Sequence, residues 1–497
     1  MFEDFREYSI AEFFKKNRHM LGFSGKVKSL TTIVHELVTN SLDACEEAGI
    51  LPDIRVEIYS IADDKVKIVV SDNGPGIPKD LIGKVYGKLL AGTKFHKYKQ
   101  QRGQQGIGAS GVTMYAKLTT GVPVHIISAY QGKMIIADVS IDINRNEPII
   151  ENIVETDTDI HGVIVEVVAG EVKIDKSEYS VYEYIRQTAL ANPHAQIELI
   201  VNGDRILYER QTTVTPPKPQ ETLPHILGIP PYEFLEMAKL SNNRTLRSFM
   251  IDSFDRVTQQ KVKELEKLLP DIDFDKNPKE LSWEEVDRIL KVVKSIKWYP
   301  PRKDVLIPIG EANLQKSIEA IYKPEIIVTR TREPKIYRDG VPFVVEVGIA
   351  YGGSISSKIL RFANRVPLLF DSSACAITKA ISEIEWNRYE IDDINTAPVL
   401  IVVHLASTFV PYVSAGKTAI AQEEDIISEI KLALMEAARS IKTHIHQKYK
   451  LHELSKKKEA LLRYVDQLAT DISSLSGEDR ELIKNRLEEI IREKYSI

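Results

Sequence analysis

From Lys417 to Ser476 the chain contains neither glycine nor proline. Nothing there interrupts a helix, so about sixty residues can run as one, roughly 90 Å if unbroken at 1.5 Å per residue. A helix of that length is a lever or a docking arm. The 497 residues leave room before it for about three domains with cores of their own. A net charge of −5 lacks the basic excess of a surface wrapped in nucleic acid, although local basic patches stay open. Cys45 and Cys375 stand far apart without metal-ligand spacing, which suits a reducing interior and argues against a disulfide scaffold. The opening "MFEDFREYSIAEFFKKNRHM" mixes charge into its apolar residues, so it is not expected to act as a signal peptide. No later apolar run approaches membrane-spanning length, so a cytoplasmic protein without membrane contact is expected.

Residues 25 to about 210 alternate helical periodicity (Leu30, Ile33, Val34, Leu37) with strand-like runs such as "KVKIVVSD" and "HGVIVEVVAG", predicting helices layered on a sheet. The prolines of "QTTVTPPKPQETLPH" end that pattern as a linker. From 221 to 300 the pattern is helical, with "TQQ" and "SWEE" offering caps. Strands return with "EIIVTRT", "VPFVVEVGIAYGG", "VPLLF" and "PVLIVVHLAS", a second mixed domain. The final apolar stripe, Leu482, Ile483, Leu487, Ile490 and Ile491, fits either a solvated amphipathic helix or a partner surface.

Chemistry concentrates in the first domain. Glu36 and Asn40 in "VHELVTNSLDA" lie one helical turn apart, with Asp43 near the same line. A carboxylate beside an amide suits phosphoanhydride hydrolysis, the acid polarising water and the amide offering a neutral oxygen to hydrated Mg²⁺. The pair alone also fits a capped or solvent-facing helix. In "VKIVVSDNGPGI", Asp72 ends a strand where it can accept the exocyclic amine of adenine, and Gly74 and Gly76 admit a close approach. A plain Asn-Gly turn would account for the glycines but not for the acid. In "RGQQGIGASGV", Gly103, Gly106, Gly108 and Gly111 precede the helical run "TMYAKL" and can turn backbone N–H groups toward a triphosphate. "PYVSAGKTAIA" nearly matches a phosphate-binding P-loop, but Pro411 replaces its first glycine and brings no N–H.

In that order the three motifs resemble the Bergerat nucleotide fold of the GHKL ATPases. The succession of ATPase, helical block, mixed domain and long helix is similar to the B subunits of type IIB DNA topoisomerases, the topoisomerase VI family. "YSIAEFFKKNRHMLGF", "TNSLDACEEAGILPDI", "PLLFD" and "SAGKTAIA" carry the likeness over almost the whole chain. The resemblance implies an α+β multidomain protein. Its parts would be a dimerisation arm at 1–24, a GHKL α/β sandwich at 25–220, a helix-two-turns-helix domain at 221–300, a ribosomal-protein-like transducer at 301–450 and a C-terminal extension at 451–497 that docks an A subunit. It implies ATP and Mg²⁺ as ligands, Glu36 as general base, Asn40 as Mg²⁺ ligand and Asp72 as adenine reader. Asp43, Gly74, Gly76, Gly103, Gln104, Gln105, Gly106, Ile107, Gly108, Ala109 and Ser110 would surround the nucleotide, with Thr93 and Lys94 near phosphate and Lys417 sensing the γ-phosphate.

It further implies that ATP dimerises two such chains in an A2B2 heterotetramer, closing a gate on double-stranded DNA, while the A subunits cut. The DNA would be relaxed and decatenated. One position departs from the family: Val163 stands where many relatives carry a threonine that supports the adenine-side acid, so another hydroxyl or a water must replace it, or the support is absent. His35 is a poor phospho-acceptor, since that group lies on a separate upstream hairpin in histidine kinases. None of the twenty tyrosines sits in a nucleophile motif. Arg330, Arg332, Lys335 and Arg338 of "TRTREPKIYR" fit phosphate contacts or, equally, a solvated hairpin. The competing function is a GHKL protein clamp or chaperone without a DNA substrate.

Overall fold

Alternation of apolar and polar residues builds the first sheet. The structure is a computed structural model and describes residues 9–92, 98–103, 106–302, 304–338, 340–414 and 416–494. Strands β1 (Asp53–Ala62), β2 (Lys65–Asp72), β3 (Val124–Tyr130), β4 (Lys133–Asp142), β5 (Glu147–Asp157), β6 (Gly162–Ala169), β7 (Gln196–Val201) and β8 (Asp204–Tyr208) pair in the order β5-β4-β3-β6-β2-β1-β7-β8. Val66, Ile68 and Val70 of β2 point into the core and their neighbours point out, the period of two that a one-sided sheet requires. Helices α1 (Ile10–Lys16), α2 (Lys26–Ala48), α3 (Lys79–Gly87), α4 (Gly108–Thr119) and α5 (Val181–Ala191) belong to the same domain. Most of α2 is buried over the sheet, through Leu30, Ile33, Val34, Leu37 and Val38, and it ends at Gly49 in the left-handed conformation. The residues of α1 lie against their own domain: Ala11 is wholly buried and Ser9 donates to the Ile143 carbonyl at 2.6 Å.

Helices α6 (Pro231–Leu240), α7 (Leu246–Ser253), α8 (Gln259–Leu268) and α9 (Trp283–Val293) form a block around the stacked and edge-on rings of Phe234, Phe249 and Phe254. Thr258 caps α8, and Ser282 with Glu285 makes a capping box on α9.

The second mixed domain contains α10 (Glu311–Tyr322), β9 (Ile326–Thr331), β10 (Lys335–Tyr337), β11 (Val341–Tyr351), β12 (Lys358–Ala363), β13 (Val366–Pro367), α11 (Ala376–Ser382) and β14 (Val399–Ser407). The strands order as β10-β11-β14-β12-β13, with β9 also on β11. Every residue of β14 is buried, because both faces of the sheet are covered. One face meets α11 and the long helix α12 (Glu424–Ser476). The other meets α10 and, from the first domain, Leu190 and Ala191 of α5. The two mixed domains therefore share a hydrophobic core.

Two expectations change. The long helix begins at Glu424 rather than near Lys417, and its 53 residues span about 80 Å. Residues before it fold as a loop because Ala419 and Ile420 are fully buried and Ile420 bridges to Tyr412. Of "VPLLF" only Val366–Pro367 is strand. Three of the four basic residues of the hairpin are also accounted for, while Lys335 is exposed. Arg330 and Arg332 pair with Glu436, Arg332 also with Glu429, and Arg338 with Glu423, so these cations fasten the sheet to α12 and its cap and are not free for phosphates. Beyond Gly477, α13 (Arg480–Lys494) turns back on α12, with Arg480 and Lys484 on Asp466. Among the described residues no helix is long and apolar enough to cross a membrane.

In the second core Glu346 and His404 are both fully buried, 2.7 Å apart. Glu346 also accepts from the Ile309 and Gly310 N–H groups and the Thr331 hydroxyl. Burial alone would raise its pKa, but His404 and the two backbone donors hold it below the usual carboxylate range. Its stabilising charge is thus fully present above the unfolded-state pKa and is lost as pH falls through the depressed folded value. Glu346→Ala strands His404 and should cost about 3–5 kcal/mol at pH 7. Thermal unfolding at pH 7 and below pH 4 checks this: the deficit relative to wild type should shrink on acidification.

Candidate nucleotide-binding site

The apolar face of α2 seats it on the sheet, and the opposite side opens on a cavity of about 380 Å³, ample for a small-molecule ligand. Glu36 and Asn40 line it from α2, Ile77 and Tyr86 from the segment after β2, and Gly103, Gly106, Ile107, Gly108 and Ala109 from the glycine-rich segment. Lys417 enters from the second domain. Sequence positions more than three hundred residues apart thus meet at one site.

The glycine-rich segment is more helical than expected, since α4 starts at Gly108 and Gly108 to Ser110 form its first turn. Backbone N–H groups of a helix start therefore border the cavity. A Cβ at Gly108 would fall 2.0 Å from Glu36 Oε2, so glycine is required there to seat the carboxylate. Gly106 takes a left-handed φ of 60°. Ser110 is buried and does not line the cavity. Thr93, Lys94, Gln104 and Gln105 lie outside the described residues.

Asp72 closes β2 and registers opposite Val163 of β6. Its carboxylate accepts from Ser41 Oγ at 2.7 Å, Gly74 N at 2.9 Å and Val163 N at 3.3 Å. Burial raises its pKa and those three donors oppose the rise. Ser41 is the hydroxyl that the valine at 163 called for, and it comes from α2, next to Asn40. Gly76 answers to the fold rather than to a ligand: its φ is 81° and a Cβ would strike the Ala129 carbonyl at 2.0 Å. Likewise a Cβ at Gly74 would crowd Asp72 Oδ1 at 2.9 Å.

Asp43 does not join the cavity. Seven residues past Glu36 is about 10 Å along a helix, which carries it beyond the cavity's end. There it pairs with the buried Arg102 at 2.8 Å, as does Glu46 at 2.6 Å. Neither Arg102 nor Ser41 stood out in the sequence; an arginine opening the glycine motif was the available signal. His35 sits with Nε2 3.9 Å from Glu36 Oε1 and stacks edge-on to Tyr184. Burial lowers its pKa, and the Lys417 charge lowers it further against the pull of Glu36, so it is a neutral neighbour. No group of three or more His, Cys, Asp or Glu side chains that could hold a metal stands among the described residues. The neutral oxygen of Asn40 fits Mg²⁺, which keeps waters and phosphate oxygens as its other ligands.

Lys417 is a non-glycine residue with φ 50°, on a loop closed by the Tyr412–Ile420 bridge and a hydrogen bond from its own N–H to Ser414. Its Nζ donates to the Arg102 carbonyl at 3.0 Å. A strained residue held at a cavity mouth is a common mark of function.

Residues 25–144 match the family of histidine kinase-, DNA gyrase B-, and HSP90-like ATPases, the class that the sandwich and its cavity define. Residues 301–457 match the transducer of the topoisomerase VI B subunit. The B subunit of type 2 DNA topoisomerase 6 from Pyrococcus horikoshii is 40% identical, with 100% of this chain and 97% of that protein covered. Its counterpart from Methanothermobacter thermautotrophicus is also 40% identical, over 99% and 96%. The chain belongs to the family of type 2 DNA topoisomerase 6 B subunits, the ATP-hydrolysing subunits of topoisomerase VI. That membership sets aside the clamp or chaperone without DNA.

Gly108→Ala should displace the Glu36 carboxylate, the flexible partner in that contact, rather than the fold. Steady-state ATP hydrolysis is expected to fall at least about tenfold, with an unfolding midpoint close to wild type.

Proposed function

We propose that ATP in this cavity brings two copies of the chain together around duplex DNA, and that its hydrolysis signals an A subunit to make the transient break. The observation that carries this reading is Lys417, a second-domain residue set in the first domain's cavity. A ligand that touches Lys417 is touched by both domains, so its charge can bias how they sit together. Membership of a type 2 topoisomerase family supports DNA as substrate.

In this mechanism Glu36 orients the attacking water and takes its proton as the water oxygen bonds to the γ-phosphorus and the bridging oxygen leaves with ADP. Asn40 would hold Mg²⁺ through its amide oxygen, and the ion would neutralise phosphate charge. Asp72, which does not itself line the cavity and already accepts from Ser41 and two backbone donors, would take the adenine amine. The N–H groups at the start of α4 face the phosphates. Residues 1–24 would strap the partner copy, with Ile10 and Phe13 already exposed for it. The hairpin of α12 and α13, with Leu475, Leu482 and Tyr464 exposed, would dock the A subunit.

Light scattering with Mg²⁺ and a non-hydrolysable ATP analogue tests the reading. A monomer-to-dimer shift that Asp72→Asn abolishes and Glu36→Ala preserves is expected. Glu36→Ala should hydrolyse ATP at least about 10²-fold more slowly, and native turnover in that variant would end its role as base. Ser41→Ala should weaken analogue binding about tenfold, or about 1.4 kcal/mol. Adding Val163→Thr should recover part of that loss, as titration calorimetry would show.

A further inference from the structure

The polar side chain that the ATPase mechanism leaves unused is Arg102, only 5% exposed. Its Nη1 donates to Asp43 Oδ1 and Glu46 Oε2, both at 2.8 Å, and its Nη2 to Glu46 Oε1 and Asn192 Oδ1, both at 2.6 Å. Asp43 and Glu46 belong to α2, the helix that carries Glu36 and Asn40. The second domain grips the backbone on both sides of Arg102. Asn364 Nδ2 donates to the Gln101 carbonyl at 3.1 Å, and Lys417 Nζ to the Arg102 carbonyl at 3.0 Å. Asn192 links the two sides, since its Nδ2 donates to the Arg365 carbonyl at 3.2 Å.

Three second-domain residues at this junction, Asn364, Arg365 and Lys417, take φ values of 46°, 65° and 50°. Asn364 and Arg365 are the two central residues of the tight β12–β13 hairpin, whose turn requires that conformation and presents the Asn364 amide to the first domain, whereas Lys417 takes it in a loop. A guanidinium held by two carboxylates in fixed geometry has little freedom to swing, and the peptide attached to it has little more.

We propose that Arg102 is a positioning residue for ATP turnover: locked to the helix that carries Glu36, it holds out the carbonyl that aims the Lys417 ammonium into the cavity. This deepens the reading of Lys417 given above and rests on it. Arg102 touches no nucleotide in this scheme. It sets the distance and angle between the base on α2 and the cation from the second domain, which matters at the chemical step more than in binding.

The test is ATP hydrolysis by the full chain carrying Arg102→Lys, Lys417→Ala, or both. Arg102→Lys keeps the charge and loses the fork that spans Asp43, Glu46 and Asn192. It should lower kcat about tenfold and change KM for ATP less than about threefold. The double variant should be no slower than Lys417→Ala alone, because Arg102 acts through Lys417. A double variant slowed by the product of the two single effects would overturn the proposal, as would a loss confined to KM. If Lys417→Ala alone turns over ATP normally, the sensor reading itself fails. Should Arg102→Lys not fold, the isosteric Asp43→Asn loosens the same clamp. It should show a smaller loss in kcat, again absent when Lys417 is already alanine, and an additive loss overturns the proposal equally.

Discussion

One hydrogen bond, from the Lys417 ammonium to the Arg102 carbonyl, crosses between two domains at the mouth of the nucleotide cavity. Both ends need support. A left-handed lysine costs about 1–2 kcal/mol. Burial of Ala419 and Ile420 behind it offsets that cost, since a buried isoleucine alone contributes about 1.5–3 kcal/mol. At the other end, Arg102 is a buried cation that stays charged because Asp43 and Glu46 meet it directly; Glu46 in turn accepts from His194 at 2.7 Å, and its pKa, raised by burial alone, is driven far down by Arg102 and His194.

The helix α2 gathers most of the chemistry because it is amphipathic in an unusual way. One side is apolar and rests on the sheet. The other carries, along its length, Glu36 and Asn40 at the cavity and Asp43 and Glu46 under Arg102, while Ser41 on the sheet side bonds the acid of β2. A tilt of this helix would move Glu36, Asn40 and Ser41 together, and Ser41 would carry the shift to Asp72 on β2.

That second domain is coupled to the first through apolar contact as well. Leu190 and Ala191 share a core with Leu314, Leu360 and Val402, while the opposite face of the same sheet packs on α12. Arg330, Arg332 and Arg338 pin that helix through glutamates. Movement at the cavity therefore has a continuous packed route into α12 as far as Ile445.

Local pattern made much of this legible. The period of two in "KVKIVVSD", the run without glycine or proline after Lys417, the spacing of Glu36 and Asn40, and the acid at Asp72 are set by neighbours in the chain, where geometry follows from residue type. Lys417 and the cavity motifs were legible through their likeness to a known family. Other features depended on contacts across hundreds of residues. Asp43 shares the helical line of Glu36 yet serves Arg102, because the cavity ends before it. Three arginines of the basic hairpin meet glutamates of α12 and its cap because the sheet brings them together. The hydroxyl on Asp72 comes from Ser41, since only the packing of α2 on β2 places it there. Sequence by itself determined which elements form and which residues can do chemistry, for those rest on backbone sterics and side-chain type. Tertiary structure alone decided which of those residues share a site, because that depends on how separate elements pack.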